Sequence, residues 1–148
     1  MSKLIWLHED CLRATHQLFT HAQEPAHDKA ANAVYIWDDA YMTKMHYGLK
    51  RRVFIYESLC ELAVDIYAGE TIETLKDMQH RLGVDEIITG KTPNPALKSM
   101  MHGLRETVKV SAIADAPFVQ MDSPPELRRF FKYWNKAKKN AFLYDGRP

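Results

Sequence analysis

The sequence predicts a Rossmann-like α/β fold, with a five-stranded parallel sheet, helices on both faces and a C-terminal linker-type helix. Short apolar runs alternate with stretches of helical periodicity, and this alternation is typical of parallel strands joined by right-handed crossovers. The chain has 148 residues, of which 46% are hydrophobic and 26% charged, an ordinary balance for one compact domain with a sizeable core.

Five apolar runs predict the strands. The first, Lys3–Leu7, is almost uninterrupted, which is typical of a strand buried on both faces. The others cover residues 31–37, 64–67, 85–89 and 108–113. We expect residues 1–113 to form the α/β domain, and residues 114–148 to form a connection and an amphipathic helix that packs on the same domain.

Apolar residues at three- and four-residue spacing predict the helices. They cover residues 12–24, 49–62, 71–82, a segment through Leu97 and Leu104, and about 125–142. Thr71 suits the N-cap of the third helix and Gly83 its C-cap. In the second helix the apolar face is predicted to be Leu49, Val53, Tyr56, Leu59 and Ala63.

The composition excludes several classes of protein and of site. No apolar run approaches the roughly 20 residues that span a bilayer, and the N-terminus does not resemble a secretory signal. Two cysteines, Cys11 and Cys60, exclude a disulfide scaffold and a thiolate zinc site, so we expect a reduced, cytoplasmic setting.

The net charge of +1 hides an uneven distribution. Residues 126–148 hold seven Lys or Arg against two acids, whereas residues 1–125 hold 13 against 17. Only the C-terminal segment therefore has the charge to attract an anionic partner.

Sites for phosphate, metal and catalysis are weakly supported. The turn after the first strand, residues 8–11, has no glycine and two acids that would repel phosphate, which disfavours a dinucleotide site. Gly90-Lys91-Thr92 resembles the end of a phosphate loop, but it lacks the upstream glycine, and a plain connection is the alternative. The seven histidines show no metal-ligand spacing. We predict no catalytic residue and no metal.

Two segments can carry a binding function. His8 and Asp10 follow the first strand, at the edge where open parallel sheets bind ligands; the alternative is a capping Asp10 and a solvated His8. The last helix combines bases and aromatics, which suits a partner or a nucleic acid. Its candidate residues are Arg128, Arg129, Phe130, Lys132 and Trp134. Core packing of Phe130, Phe131 and Trp134 is the alternative for the aromatic stripe.

Four stretches, in order, resemble the N-terminal α/β domain of the DNA photolyase/cryptochrome family. They are Leu4-Ile5-Trp6-Leu7-His8-Glu9-Asp10-Cys11-Leu12-Arg13, Ala33-Val34-Tyr35-Ile36-Trp37-Asp38-Asp39, Arg51-Arg52-Val53-Phe54-Ile55-Tyr56-Glu57-Ser58-Leu59-Cys60-Glu61-Leu62 and Phe130-Phe131-Lys132-Tyr133-Trp134. The resemblance implies a central first strand. The sequence departs from the family at His8, where the family has Arg, and at Cys11, which is an added residue.

The resemblance also implies what this chain cannot do alone. The family's FAD-binding helical domain would begin where this chain ends, so we expect no FAD in the family's usual site. Residues 89–95 do not match the segment that contacts a folate antenna. Binding of a flavin, a deazaflavin or a nucleotide at the carboxyl ends of the strands remains an open alternative. Trp6, His8, Asp10, Trp37 and Asp38 would line that site.

These expectations leave four functions open. The first is a stand-alone photolyase-like module that binds an antenna chromophore or a nucleotide and is linked to light-dependent DNA repair or sensing. The second is a subunit that docks a separately encoded FAD-binding half through the last helix. The third is an independent nucleotide-binding enzyme, and the fourth is a remnant without a ligand. A homodimer is compatible with an orphan domain that exposes apolar surface.

Overall fold

The computed structural model describes residues 2–22, 32–124 and 126–141. It divides into two compact units, Met1–Asp115 and Ala116–Pro148. The predicted boundary after residue 113 lies close to this division. That the C-terminal helix packs on the first unit stays a prediction.

The first unit contains a five-stranded sheet in which every pairing is parallel. The strands are β1 (Lys3–Leu7), β2 (Asn32–Trp37), β3 (Asp65–Ala68), β4 (Glu86–Gly90) and β5 (Lys109–Ile113). Their order across the sheet is β3-β2-β1-β4-β5, so β1 is central, as expected. The predicted α/β class is confirmed.

Helices connect the strands. They are α1 (Gln17–Ala22), α2 (Asp39–Lys44), α3 (Leu49–Cys60), α4 (Thr71–Leu82) and α5 (Pro95–Leu104). The chain steps from β1 to β3 in one direction across the sheet and from β4 to β5 in the other, so right-handed crossovers place helices on both faces. Residues 4–7 of β1 are all buried although successive side chains point to opposite faces, which agrees with two covered faces.

Three helices of the first unit differ from the prediction, and the last helix of the chain, predicted from about residue 125, begins at Phe130. The first begins only at Gln17, and the predicted stop at Pro25 lies outside the described residues. α2 was not predicted, because Asp38 and Asp39 look like the end of a strand; the Asp38 carboxylate in fact caps this short helix by accepting from the Tyr41 N–H. At α4 the cap is Glu70, whose side chain accepts from the Glu73 N–H, and Thr71 is the first helical residue. Gly83 ends α4 in the left-handed conformation, with φ of 59°, as predicted.

The predicted buried face of α3 is wrong at Leu49, Val53 and Tyr56 but right at Leu59. Leu49 is 78% exposed, Val53 44% and Tyr56 53%, whereas Ile55 and Leu59 are buried. Spacing identifies an apolar stripe on a helix but not which side meets the sheet. α3 therefore has two apolar stripes, and the longer one faces away from the core of the unit.

The second unit holds α6 (Phe130–Ala141). Ala137 is its buried residue, and Phe130 and Phe131 are 65% and 74% exposed. Core packing of these two rings stays a prediction, as does packing of the helix on the first unit. Phe130 stacks on the Trp134 ring one turn away, with centroids 6.2 Å apart and planes within 8° of parallel. No helix among the described residues is both long and apolar enough to cross a bilayer.

Candidate functional site

The candidate site lies at the carboxyl ends of β1, β2 and β4. The direction of the chain across the sheet reverses between β1 and β4, which are neighbours. In open parallel sheets the connections diverge at this point and leave a crevice, the usual ligand site. The side chains that follow β1 fill this crevice.

His8 bridges the two central strands. Its Nε2 atom lies 2.8 Å from the Gly90 carbonyl oxygen, and its Nδ1 atom lies 3.2 Å from the Asp10 amide nitrogen. A carbonyl only accepts and an amide N–H only donates, so Nε2 carries the proton and Nδ1 accepts. Burial lowers the pKa of His8, against the opposing effects of the Gly90 carbonyl and the Glu9 and Asp10 carboxylates. The imidazole is therefore neutral at pH 7.

Asp10 fixes the segment that follows β4. Its carboxylate accepts a hydrogen bond from the Thr92 hydroxyl, and the same hydroxyl oxygen accepts from the Asn94 N–H at 3.0 Å. The Asn94 side chain then caps α5 by accepting from the Ala96 N–H at 3.0 Å. The two loops at the switch point are thus joined by side chains, and Asp10 acts between loops rather than as a helix cap.

Asp38 organises the neighbouring strand end. Its Oδ1 accepts from the Tyr41 N–H at 2.9 Å, and its Oδ2 accepts from both the N–H and the hydroxyl of Thr71, each at 2.9 Å. One buried carboxylate therefore holds the starts of α2 and α4, where the N–H groups lack helical partners.

Glu9 is the acceptor that two tyrosines share. Its Oε1 lies 2.5 Å from the Tyr41 hydroxyl and 2.8 Å from the Tyr47 hydroxyl, and the Asn94 amide donates to Tyr41 Oη at 3.0 Å. Burial, followed by the hydrogen bond to Glu9, raises the pKa of Tyr41. The Arg51 guanidinium lies 5.3 Å from the centre of the Tyr47 ring. The Tyr41 and Tyr47 rings meet edge to face and cover the Glu9 carboxylate.

Beneath these tyrosines lies a narrow cleft. It is lined by Trp6, Leu7, His8, Glu9, Tyr35, Ile36, Tyr41, Thr71 and Leu97. Its volume is about 10 Å³, which is room for about one water molecule. An organic ligand can enter only if the side chains that cover Glu9 move.

Of the predicted ligand-binding residues, two line this cleft. Trp6 and His8 do so, with their rings edge to face and centroids 5.9 Å apart. Asp10 is exposed at the rim, and Asp38 is buried beneath the helix starts. Trp37 is half-buried between the Tyr35 and Tyr56 rings.

Most of the residues that surround the Glu9 carboxylate and the cleft were not predicted from the sequence. Tyr41, Tyr47, Thr71 and Asn94 come from three connections remote in sequence, and only the fold brings them together. Glu9 was considered only as a charge that repels phosphate. Its position next to His8 at the end of β1 was a usable signal.

The Gly90-Lys91-Thr92 segment has its own partners. The Lys91 N–H donates to the Ile113 carbonyl at 2.8 Å, and the Thr92 hydroxyl oxygen takes the Asn94 N–H. These donors are committed to the fold, which favours the plain connection over a phosphate loop. In the described part of the chain, no three His, Cys, Asp or Glu side chains group closely enough to hold a metal ion.

The predicted partner residues occupy the second unit. Arg128 and Arg129 are exposed just before α6, and the Lys132 ammonium pairs with the Glu126 carboxylate at 2.7 Å. Phe130 is exposed and Trp134 is half-buried. The helix thus presents aromatic and basic groups together.

Similarity to known proteins is found only at the level of solved structures. No family model matches the chain, and no curated protein matches it. Among solved structures, it is similar to a hypothetical protein, PH0823, with a TM-score of 0.46 and 11% sequence identity. The likeness covers 78% of this chain and 97% of that one.

Proposed function

We propose that this chain is a photolyase/cryptochrome-like module that binds a small planar ligand at the carboxyl ends of β1, β2 and β4. The ligand class is an antenna chromophore of flavin or deazaflavin type, or a nucleoside. The observation that carries the proposal is the Glu9 carboxylate, held at the switch point by the Tyr41 and Tyr47 hydroxyls.

Glu9 suits a ligand that donates hydrogen bonds. A carboxylate accepts from ring N–H and amino groups, which flavins, deazaflavins and nucleobases all present. Trp6 and the tyrosine rings provide the apolar, aromatic walls that planar ligands favour. Glu9 and Asp10 together oppose a phosphate at this position, so the unphosphorylated form of each ligand is expected to bind more tightly.

Binding requires that the tyrosine cover opens. Tyr47 lies between α2 and α3, next to His46, whose φ of 56° is unusual for a residue other than glycine. When Tyr47 moves, the ligand's donors take the place of its hydroxyl at Glu9. The closed form therefore competes with the ligand, and its stability lowers the apparent affinity.

The test is a fluorescence titration with riboflavin, FMN, adenosine and AMP. We expect saturable binding, tighter for riboflavin than for FMN. Tyr47→Ala removes a competing donor and part of the cover, so it should tighten binding, whereas Glu9→Gln should weaken it. Tyr67→Ala, on the exposed edge strand, is the control and should change nothing. No saturable binding by any probe, including to Tyr47→Ala, would refute the proposal.

A second function is favoured by the exposed aromatic rings of α6. In this alternative the chain is an interaction subunit that docks a separately encoded FAD-binding photolyase-like half through Phe130, Phe131 and the flanking Arg128 and Arg129. Exposed aromatic and arginine side chains are the groups that interfaces favour. Co-purification of the two halves, lost in Phe131→Glu and kept in Leu82→Glu, would support it; no association between purified halves would end it.

A further inference from the structure

The exposed stripe of α3 is not covered by the described residues of the first unit. It consists of Leu49, Val53, Tyr56 and Cys60, which follow the alternating four- and three-residue spacing of a helix-pairing seam. Leu49 is 78% exposed, Val53 44%, and Cys60 is an exposed free thiol. The adjacent edge strand β3 adds Ile66, which is 39% exposed and lies on the face of the sheet that α3 covers. Apolar surface that is contiguous in this way marks an interaction site.

The charges beside the stripe indicate what covers it. Lys50 flanks the stripe near the start of α3, and Glu57 flanks it on the same side, two turns later. Glu61, just beyond the helix, extends the acidic end. When two identical helices pair in antiparallel fashion, the same flank of each lies side by side. Lys50 of one copy then meets Glu57 and Glu61 of the other, and the same contact repeats by symmetry.

We propose that α3 pairs with α3 of a second copy, antiparallel about a two-fold axis, to form a homodimer. In a parallel pair this flank would instead face the opposite flank of the partner helix, so Lys50 would not meet Glu57 and Glu61. The axis passes near the middle of the stripe, between Val53 and Tyr56. This proposal is independent of the ligand proposed above, since it uses none of the residues of the cleft.

The first test is sedimentation equilibrium of the full chain. We expect a mass near twice the 17.2 kDa of one chain. Val53→Glu and Leu49→Glu each place a carboxylate in the apolar seam and should give monomers. Both positions are exposed, so the fold should survive, which circular dichroism checks. Leu82→Glu, at an exposed leucine of α4, is the matched control and should stay dimeric.

Charge exchange tests the antiparallel arrangement. Lys50→Glu should weaken the dimer, and the triple variant Lys50→Glu/Glu57→Lys/Glu61→Lys should restore it. A cysteine at Val53, with Cys60→Ser, should form an intermolecular disulfide on mild oxidation because it lies near the axis. The native Cys60, at the far end of the stripe, should not.

Three results would overturn the proposal. One is a monomer at every concentration. Another is a dimer that both Val53→Glu and Leu49→Glu leave intact, since a different surface would then hold it. The last is rapid cross-linking through Cys60 without cross-linking at position 53, which indicates parallel helices or another interface.

Discussion

The His8 Nε2–H donates to the Gly90 carbonyl oxygen at 2.8 Å, and this bond joins the ends of β1 and β4 where the sheet reverses direction. Because both groups are buried, each depends on the other for its hydrogen bond. The bond also holds His8 in one tautomer, which leaves Nδ1 to accept from Asp10. The floor of the candidate site is therefore held by hydrogen bonds between the two strand ends, and the proposed binding requires movement of the tyrosine cover alone.

Replacing His8 should cost stability. His8→Asn leaves the Gly90 carbonyl without its partner, and a buried unsatisfied acceptor costs about 1–3 kcal/mol. Thermal unfolding measures the loss. His80→Asn, at an exposed position of α4, should leave the melting temperature unchanged. An unchanged melting temperature in His8→Asn would show that the bridge does not contribute.

The same histidine should make stability depend on pH. Burial lowers the pKa of His8 below its unfolded value of 6.5, so below pH 6.5 the unfolded chain binds the proton more readily. The contribution of His8 to the free energy of unfolding should be fully present above pH 6.5 and should decrease as the pH falls below 6.5. His16, whose pKa burial also lowers, acts in the same direction. Urea titrations should therefore give a smaller pH slope for His8→Asn than for the wild type; an equal slope would contradict this assignment.

Gly90 is expected to tolerate no side chain. A Cβ at this position would lie 2.6 Å from Cys11 Cβ, which is fixed in the buried turn after β1. Gly90→Ala should destabilise the protein by about 1–3 kcal/mol, the usual cost of overpacking. Gly103→Ala is the matched control, because its Cβ meets only Ile72 Cδ1 at 3.7 Å. Inside α5 that change should be neutral or stabilising. Equal stability of the two variants would refute the clash.

The two cysteines should differ in reactivity. Burial raises the pKa of Cys11 to about 11, so its thiol is almost entirely protonated at pH 8. Cys60 is exposed. Ellman's reagent should titrate one thiol in the native Val53→Glu monomer, where no second copy covers Cys60, and two after denaturation. Adding Cys60→Ser should remove the native signal. Fast reaction of both thiols in the native state would contradict this account.

The ion pair between Glu86 and Lys109, on neighbouring strands, should make the stability of the protein depend on pH. Burial tends to raise the pKa of Glu86, but hydrogen bonds from Ser111 and Lys109 outweigh it and lower the pKa below 4.5. Its carboxylate lies 3.0 Å from the ammonium of Lys109, its register partner on β5. A depressed carboxyl pKa gives stability that is present above pH 4.5 and lost at lower pH.

Lys109→Met tests this pair. The variant should lose about 1 kcal/mol at pH 7, a modest effect because the lysine is largely exposed, and less at pH 3. Lys98→Met, an exposed lysine of α5, serves as the control. A loss that is as large at pH 3 as at pH 7 would mean that the contact is not electrostatic.

The fold was largely predictable because apolar runs report strands directly. Each predicted strand lies within one residue of the observed one at either end, apart from the start at residue 31, which lies outside the described residues. α2 was not predicted because six residues are too few to show a helical apolar pattern, although Asp38 before Asp39 is a capping signal. The buried face of α3 was predicted correctly only at Leu59, because Leu49, Val53 and Tyr56 make a longer apolar stripe than Ile55 and Leu59.

The candidate site was only partly predictable, for a physical reason. His8 and Asp10 could be identified because they directly follow the first strand. Parallel strands have their carboxyl ends at one edge of the sheet, where ligands usually bind. The partners of these residues are set by loop paths that a single sequence does not reveal. Thr92 and Asn94 reach the site because β4 lies beside β1, and Tyr47 because α2 turns the chain back over Glu9.

Chemical-shift mapping with riboflavin tests the central claim most directly. A titration of ¹⁵N-labelled protein follows every amide, so it reports both binding and its location. We expect saturable shifts at the amides of His8, Glu9, Tyr41, Tyr47 and Asn94, with α6 unaffected. Shifts confined to α6, or none at saturating riboflavin with both wild type and Tyr47→Ala, would contradict it.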